Sequence, residues 1–466
     1  VTWWRTFWYG LEIEPTRLRI LRIAFFGVLG LDLWQQVSHA PRYGAGGMSV
    51  PHISLLSALP APHRDWVLVL FCLGSFLAFR AAMGVAARAS AAAVAALFGL
   101  IYFWSQVDSY QHHYLVWMIV LLAAFVPWEP ANGPREHWAV RLLLVQLSLV
   151  YLWAAVAKMD PHWLEGRTLS MQISKEWVRE GVMNTARAWE IKPLALWSAA
   201  AWSVMLAELT LAVCLQVRRL WPAALVLGLG FHIGIEVLGY KIGLFSAFMV
   251  ALYSLLLPAR VVAWCDRIWP SEEAERRLGP AMALSLAGAA ATLALPFPPV
   301  AALAAGVALF AGAAAWSRPT LPTGIAQLTA GLALVTLAET TDQARDYYKY
   351  LGGDTRRRGE VDVALDAYEN VLAIDPEYVS GWVRLGDLML RRGAEGDDEA
   401  AVEAFETALD LAPRRASSWS RLARARAARG ELEAAAEAAE RALELDPEEP
   451  DARAVLRRLA PSEPNP

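Results

Sequence analysis

Apolar residues arrive in two different rhythms along the chain. Over roughly the first 340 positions they form long, nearly uncharged runs. Crossing a bilayer as a helix takes about 17–25 such residues. Runs of that kind lie near 18–36, 66–87, 89–107, 113–128, 139–157, 194–216, 220–239 and 241–258. Three more, rich in Ala, Leu and Gly, lie near 279–296, 298–316 and 322–339. From Ala344 onward the apolar positions are instead spaced for one face of a helix, with charges between them. The pattern predicts an all-α chain: a polytopic helical membrane bundle followed by a soluble helical array.

Trp and Tyr crowd the ends of several runs, as in an aromatic belt. The opening cluster Trp3-Trp4-Arg5-Thr6-Phe7-Trp8-Tyr9 reads as an interfacial segment, and no Ala-x-Ala-like cleavage site follows the first apolar run. With the N-terminus inside, Arg17, Arg19, Arg22, Arg80, Arg88, Arg135, Arg141, Arg218 and Arg219 fall on the inner side. The short outer connections keep only Arg42, Arg64 and Lys241. The asymmetry predicts a cytoplasmic N-terminus. The connections at Asp108–His113 and after Lys158 then face outward, and an odd span count places the C-terminal array outside as well. The long outer connection 158–193 adds six more basic residues, but half of its length reads as an amphipathic interfacial helix.

The C-terminal pattern repeats. Tyr348, Trp382 and Trp419 open three units that close at Pro376, Pro413 and Pro447. The intervals alternate between 34 and 37 residues, the longer one carrying an insertion around Gly393-Ala394-Glu395-Gly396-Asp397. A 34-residue period with Leu351-Gly352, Leu385-Gly386, Ala364, Ala435, Tyr368 and Phe405 at fixed offsets is the tetratricopeptide pattern. Each unit is a helix pair unable to bury its apolar face alone, so the units stack, with Asp451–Leu459 as the cap.

Composition sharpens this division. The chain is 56% hydrophobic with 21 Trp, above the 45–50% usual for globular proteins. Residues 341–466 hold 18 Lys and Arg against 27 Asp and Glu, whereas the first 340 carry a net charge of +5 and all eight histidines. The predicted organisation is a membrane domain over 1–265, extra membrane helices over 266–340, the repeat array over 341–460 and a disordered tail over 461–466. Cys72, Cys214 and Cys265 lack metal or disulfide spacing. The dispersed arginines form no nucleic-acid signature.

Three stretches carry candidate chemistry. In Asp108-Ser109-Tyr110-Gln111-His112-His113-Tyr114-Leu115, adjacent histidines point different ways on a helix, which disfavours a shared metal. They are either interfacial imidazoles or one of them hydrogen-bonds a substrate oxygen. In Tyr151-Leu152-Trp153-Ala154-Ala155-Val156-Ala157-Lys158-Met159-Asp160-Pro161-His162-Trp163-Leu164-Glu165-Gly166, a lysine ends an apolar run. It is either a snorkelling anchor or an amine held partly out of water and usable as a base. Asp160 is placed to orient that amine, and Trp163 with Gly166 suits a turn that brings backbone near a ligand. In the third stretch, His232 and Glu236 lie four apart on one helix face ahead of Ile242-Gly243 and Phe245. With Asp32 and Glu208 they are intramembrane polar groups expected to face the bundle interior.

Together these stretches resemble the membrane domain of vitamin K-dependent gamma-carboxylase and its bacterial relatives, the horizontally transferred transmembrane (HTTM) domain. The resemblance covers roughly residues 10–265 and is most specific in the lysine block. It implies that Lys158 is the base that deprotonates reduced vitamin K or a menaquinone-type quinone. The anion then reacts with oxygen, a glutamate loses its γ-hydrogen and takes up carbon dioxide, and the quinone leaves as its epoxide. It places His112 in the same site, with Tyr114, Asp160, Trp163, Gly166 and His232 toward the substrate, without a metal. Gln111 and His113 depart from the carboxylase, which has asparagine and serine there. Beyond residue 265 the carboxylase's propeptide-binding part has no counterpart. Extra spans and the repeats stand in its place, which implies a protein or peptide partner for the array. An integral protein of a bacterial inner membrane is the expected setting. Two further classes stay open: a non-enzymatic anchor displaying the array, and a transporter.

Overall fold

The computed structural model describes residues 2–43, 50–107, 111–128, 135–173, 175–239, 244–268 and 343–459. The runs expected near 279–296, 298–316 and 322–339, and the tail 461–466, lie outside the described residues. A short helix, α1 (Thr2–Tyr9), precedes α2 (Pro15–Gln36), α3 (Arg64–Ala82), α4 (Ala87–Trp104), α5 (Gln111–Ala123) and α6 (Trp138–Ala157). Three short helices follow: α7 (Pro161–Leu164), α8 (Arg167–Gln172) and α9 (Glu176–Ala188). The membrane part ends with α10 (Pro193–Cys214), α11 (Trp221–Val237), α12 (Phe245–Leu252) and α13 (Ala259–Ile268). Six helices among the described residues are long and apolar enough to cross a membrane. A seventh candidate is the pair Phe245–Leu256 and Ala259–Arg267, bent by 97°.

Local chemistry sets the helix boundaries. Prolines occupy the first turns of α2, α10 and α11, where a missing N–H costs nothing. The ring nitrogens of His63 and His137 accept from the N–H groups of Asp65 and Ala139 and cap α3 and α6. The run near 113–128 resolves differently from the expected full span. α5 has 13 residues, a rise of about 20 Å. It then gives way to a turn in which the Trp128 indole donates to the Ala123 carbonyl at 2.8 Å.

Arginines tie one end of the bundle together. Arg17 donates to the Leu255 carbonyl at 3.0 Å and also reaches Leu257 and the Glu14 carboxylate. Arg22 donates to the Ala82 and Trp128 carbonyls, and the Arg141 guanidinium lies 4.1 Å over the Phe7 ring. The two-residue strands Glu12–Ile13 and Arg135–Glu136 pair antiparallel at this end. The opposite end holds a 3-10 helix, Val37–Arg42, whose Arg42 donates to the Val107 carbonyl at 3.3 Å. Chain alternation puts the start of α5, the end of α6 and the start of α10 at that same end. The core between the ends is built from Phe25, Phe26, Leu29, Leu144, Leu147 and Phe248 with their neighbours.

The repeats form three helix pairs and a cap, as the 34-residue spacing predicts. They are α14 (Gln343–Arg358) with α15 (Val361–Ile374), α16 (Val379–Arg392) with α17 (Asp397–Leu411), and α18 (Ala416–Ala428) with α19 (Leu432–Leu445). The cap is α20 (Pro450–Leu459). The Trp382 and Trp419 indoles each donate to a carbonyl six residues earlier, Pro376 and Pro413, both at 2.8 Å. The closing prolines thus mark where one unit's turn is pinned by the next unit's aromatic. α14 also packs against the 3-10 helix Val37–Arg42, with the Tyr350 ring 5.4 Å from both the His39 ring and the Arg42 guanidinium.

Phe405 is fully buried at the centre of the second interface. Truncating it leaves a large cavity, so Phe405→Ala is expected to destabilise the array by about 3–5 kcal/mol. Hydrogen exchange on the full-length protein would show faster exchange from α16 to α18 and unchanged exchange in α2 and α6.

Candidate functional site

The site starts from the end of α6. Pro161 disfavours helical backbone at the residue before it, and Asp160 is extended at φ −73°, ψ 138°. Lys158 therefore becomes the last residue of the turn that closes α6. Its Nζ donates to the Glu208 carboxylate at 2.8 Å and to the Ala154 carbonyl at 3.3 Å. It also lies 5.2 Å from the centre of the Trp163 ring, within cation–π range. Among the described residues these are its polar and ring partners.

Glu208 sits fifteen residues into α10 and is buried, its side chain 5% exposed against 20% for Lys158. Only Oε1 is used; Oε2 is buried with no hydrogen-bond partner among the described residues. The early turns of α10 overshoot the end of α6 and carry α7, α8 and α9. These short helices roof the lysine. Trp163, Leu169, Ile173, Trp197 and Ala201 form their apolar core. The Trp163 indole N–H is buried there without a partner among the described residues.

Two turns deeper on the same face of α6, Tyr151 opens a second polar group. Its hydroxyl is bonded to His232 Nε2 at 2.8 Å and to the Tyr253 hydroxyl. His232 Nδ1 lies 3.4 Å from the Ser246 hydroxyl. Tyr253 fits because it fills the notch at Gly228, where any Cβ would collide with its ring.

The predicted site residues distribute as follows. His112 lies in the first turn of α5, and its side chain is outside what the structure describes. Its neighbour His113 is buried with its ring 5.9 Å from Phe98. Tyr114 is exposed and joins an aromatic patch with Tyr102 and Trp117 rather than the lysine. Asp160 caps α7: Oδ1 accepts from the N–H groups of His162 and Trp163 at 2.9 and 3.3 Å. It does not orient the amine. Gly166 has φ +81°, and a Cβ there would strike the backbone of Trp197 and Ser198. The close approach the structure shows for it is to α10. His232 is fully buried in the tyrosine cluster. Glu236 is exposed one turn further on and does not accompany His232 inward, contrary to expectation. Asp32 is buried as expected, with Oδ2 unpartnered among the described residues.

Glu208 as the partner of Lys158 was not assigned from sequence. The signal was an acid in an otherwise uncharged run. Matching runs end to end sets Lys158 beside the start of α10, and the overshoot hides the true register. Tyr253 and Ser246 carry no charge and gave no signal.

The pair predicts an asymmetric response. Lys158→Met leaves a buried carboxylate alone and is expected to lower bundle stability by about 3–5 kcal/mol. Glu208→Gln leaves a lysine able to reach water and is expected to cost less. The double variant should recover part of the Lys158→Met loss, read from thermal unfolding in detergent. Additive losses would mean the pair is not coupled.

A family model described as a tetratricopeptide repeat matches residues 416–449. Among solved structures, the chain is similar to the first TPR of Spaghetti (RPAP3) bound to the HSP90 peptide SRMEEVD. The identity is 26%, over 25% of this chain and 89% of that one, with a TM-score of 0.24. It is also similar to the Sgt2 TPR domain from Aspergillus fumigatus, at 25% identity over 26% and 85% of the two chains, TM-score 0.23. A thermophilic TPR protein of Thermus thermophilus matches at 24% identity over 29% and 74%, TM-score 0.24. A second family model, described as the HTTM domain, matches residues 11–260. That alignment takes in more than half of the sequence and every residue of the Lys158 site, and the chain therefore belongs to the HTTM domain family.

Proposed function

We propose that the protein is an integral membrane enzyme of the vitamin K-dependent carboxylase type. Lys158 acts as base toward a reduced lipid quinone, and the tetratricopeptide array recruits the protein substrate. The observation that carries this reading is the Lys158–Glu208 pair, roofed by α7–α9 at the end of α6. An anchoring lysine would reach for water and headgroups. This one turns inward to a buried carboxylate.

The residues suit an apolar ring bearing an ionisable hydroxyl. Trp153, Val156 and Met159 present exposed apolar surface beside the lysine. Glu208 Oε2 and the Trp163 N–H are buried polar atoms still able to bond a ligand. The reduced quinone, when bound, supplies the reducing power that converts oxygen into a strong base. Transfer of one proton inside the pair, from the Lys158 ammonium to Glu208, leaves a neutral amine and a neutral acid. The amine lone pair then accepts the hydroxyl proton, and water is kept out by the Trp163 cluster. His112, at the same end of the bundle, is assigned to hydrogen-bonding a substrate oxygen. Oxygen-dependent epoxidation is the core reaction, and glutamate γ-carboxylation is the coupled reaction to which the family points. The arginine asymmetry of the sequence supports an orientation with this end outside a bacterial inner membrane and the N-terminus in the cytoplasm.

Membranes containing the wild-type protein are expected to form quinone epoxide and to fix bicarbonate carbon. Lys158→Ala should lower epoxide formation by about 10²–10⁴-fold, the range for loss of a general base. Glu208→Gln should also lower it, because the pair then lacks the carboxylate that takes the ammonium proton. Epoxide formation that survives Lys158→Ala removes the assignment of the base. Absence of epoxide with wild type across vitamin K and menaquinone homologues removes the enzyme reading.

A further inference from the structure

The repeat array sorts its charges by helix. The first helix of each pair and the cap, α14, α16, α18 and α20, together carry fourteen Lys and Arg against four Asp and Glu. The second helices, α15, α17 and α19, carry one Arg against thirteen Asp and Glu. Both sets belong to a segment that is acidic as a whole, so net composition does not explain the sorting.

The packing converts it into a surface. Two of the three consecutive pairs of first helices touch: α16 contacts α18, and α18 contacts α20. The second helices α15 and α17, and α17 and α19, make at most glancing contact. In a curved stack the helices that converge line the concave side, and those that splay lie on the convex side. The concave side is therefore the basic one. Its centre is visible in the ion pairs. Asp387 of α16 accepts from Arg421 at 3.1 Å and from Arg424 at 2.7 Å, both of α18, with Arg384 at 4.0 Å. One carboxylate among three guanidiniums leaves two positive charges unbalanced. Arg391 of α16, which is exposed, extends the stripe toward α14 by donating to the Arg356 carbonyl at 3.4 Å.

We propose that this concave stripe binds an extended acidic segment of polypeptide, rich in Glu or Asp. The proposal rests on the recruiting role given to the array above and supplies the chemistry of what is recruited. Broad polyanions fit less well. A rigid duplex or a flat bilayer does not follow a concave surface, whereas a single extended chain can run along the stripe. Such a segment also has the composition expected of a substrate whose glutamates are to be modified.

The test uses the full-length protein in zwitterionic nanodiscs and a fluorescein-labelled peptide of alternating Glu and Ser, read by anisotropy. The Glu peptide is expected to bind, and the same peptide with Gln or Lys in place of Glu is not. Affinity should fall by about tenfold or more when salt is raised from about 0.05 to about 0.3 M, as the Debye length shortens. Arg391→Glu with Arg424→Glu should weaken binding, with helical content checked by circular dichroism. Asp387→Asn should tighten it, an outcome that misfolding cannot produce. Lys158→Ala should leave binding unchanged, so loss of the quinone reading and loss of this one are separable. Equal binding of the Gln peptide, or no binding of the Glu peptide, overturns the proposal. So does absence of peptide binding together with protection of Arg391 from trypsin only in phosphatidylglycerol discs, which assigns the stripe to lipid.

Discussion

A charge inside a hydrocarbon layer has to find its counter-charge within the protein, because no water is there to supply one. The bond between Lys158 and Glu208 meets that requirement, and much of the membrane domain follows from it. It fixes the register of α6 against α10 and makes α10 overshoot. It thereby provides the ledge on which α7, α8 and α9 are built. The same rule shapes the other end of the bundle, where Arg17 and Arg22 spend their donors on carbonyls left open at the ends of neighbouring helices. Helix termini have four such carbonyls each, so an arginine at a bundle end ties together helices far apart in sequence.

How much of this could be read from the chain depended on whether the signal was local. Run length and uniform apolarity are local, and six runs are long helices where predicted, whereas the runs near 113–128 and 241–258 resolve among the described residues as a short helix and part of a bent pair. The aromatic and proline spacing of the repeats is local too, because Trp382 reaches back only six residues to Pro376. The site was legible in part. Lys158 declared itself by ending an apolar run, but its partner lies fifty residues away at a depth that end-to-end matching of spans does not give. Asp160 shows the opposite failure: its neighbour Pro161 was visible, yet its service as a helix cap was read as service to the amine. Gly166 makes a close approach to α10, which cannot be located from residue 166 alone. Glu236 failed because a shared helix face says nothing about where the neighbouring helices stop.

The membrane and repeat parts solve the same packing problem with different means. In the bundle, hydrocarbon offers no hydrophobic gain for bringing helices together, so close fits and internal hydrogen bonds do so. Tyr253 against Gly228 is one such fit, and its hydroxyl joins Tyr151 and His232 to a single buried group. In the array, water is present, and burial of Phe405, Ala408, Leu422 and Ala439 drives the stacking. The faces left over are then free to carry the charge sorting, which the bundle could not tolerate.

The contact between α14 and the 3-10 helix Val37–Arg42 has a kinetic meaning. It seats the array on the end of the bundle that also bears Lys158. Under the proposed function, a polypeptide held by the array is a tethered reactant. Its local concentration is set by the reach of its own free segment, and short flexible tethers give effective concentrations on the order of millimolar. Successive residues of one chain can be presented without release into bulk solvent. A seating of this kind favours repeated action on one molecule over single encounters with many.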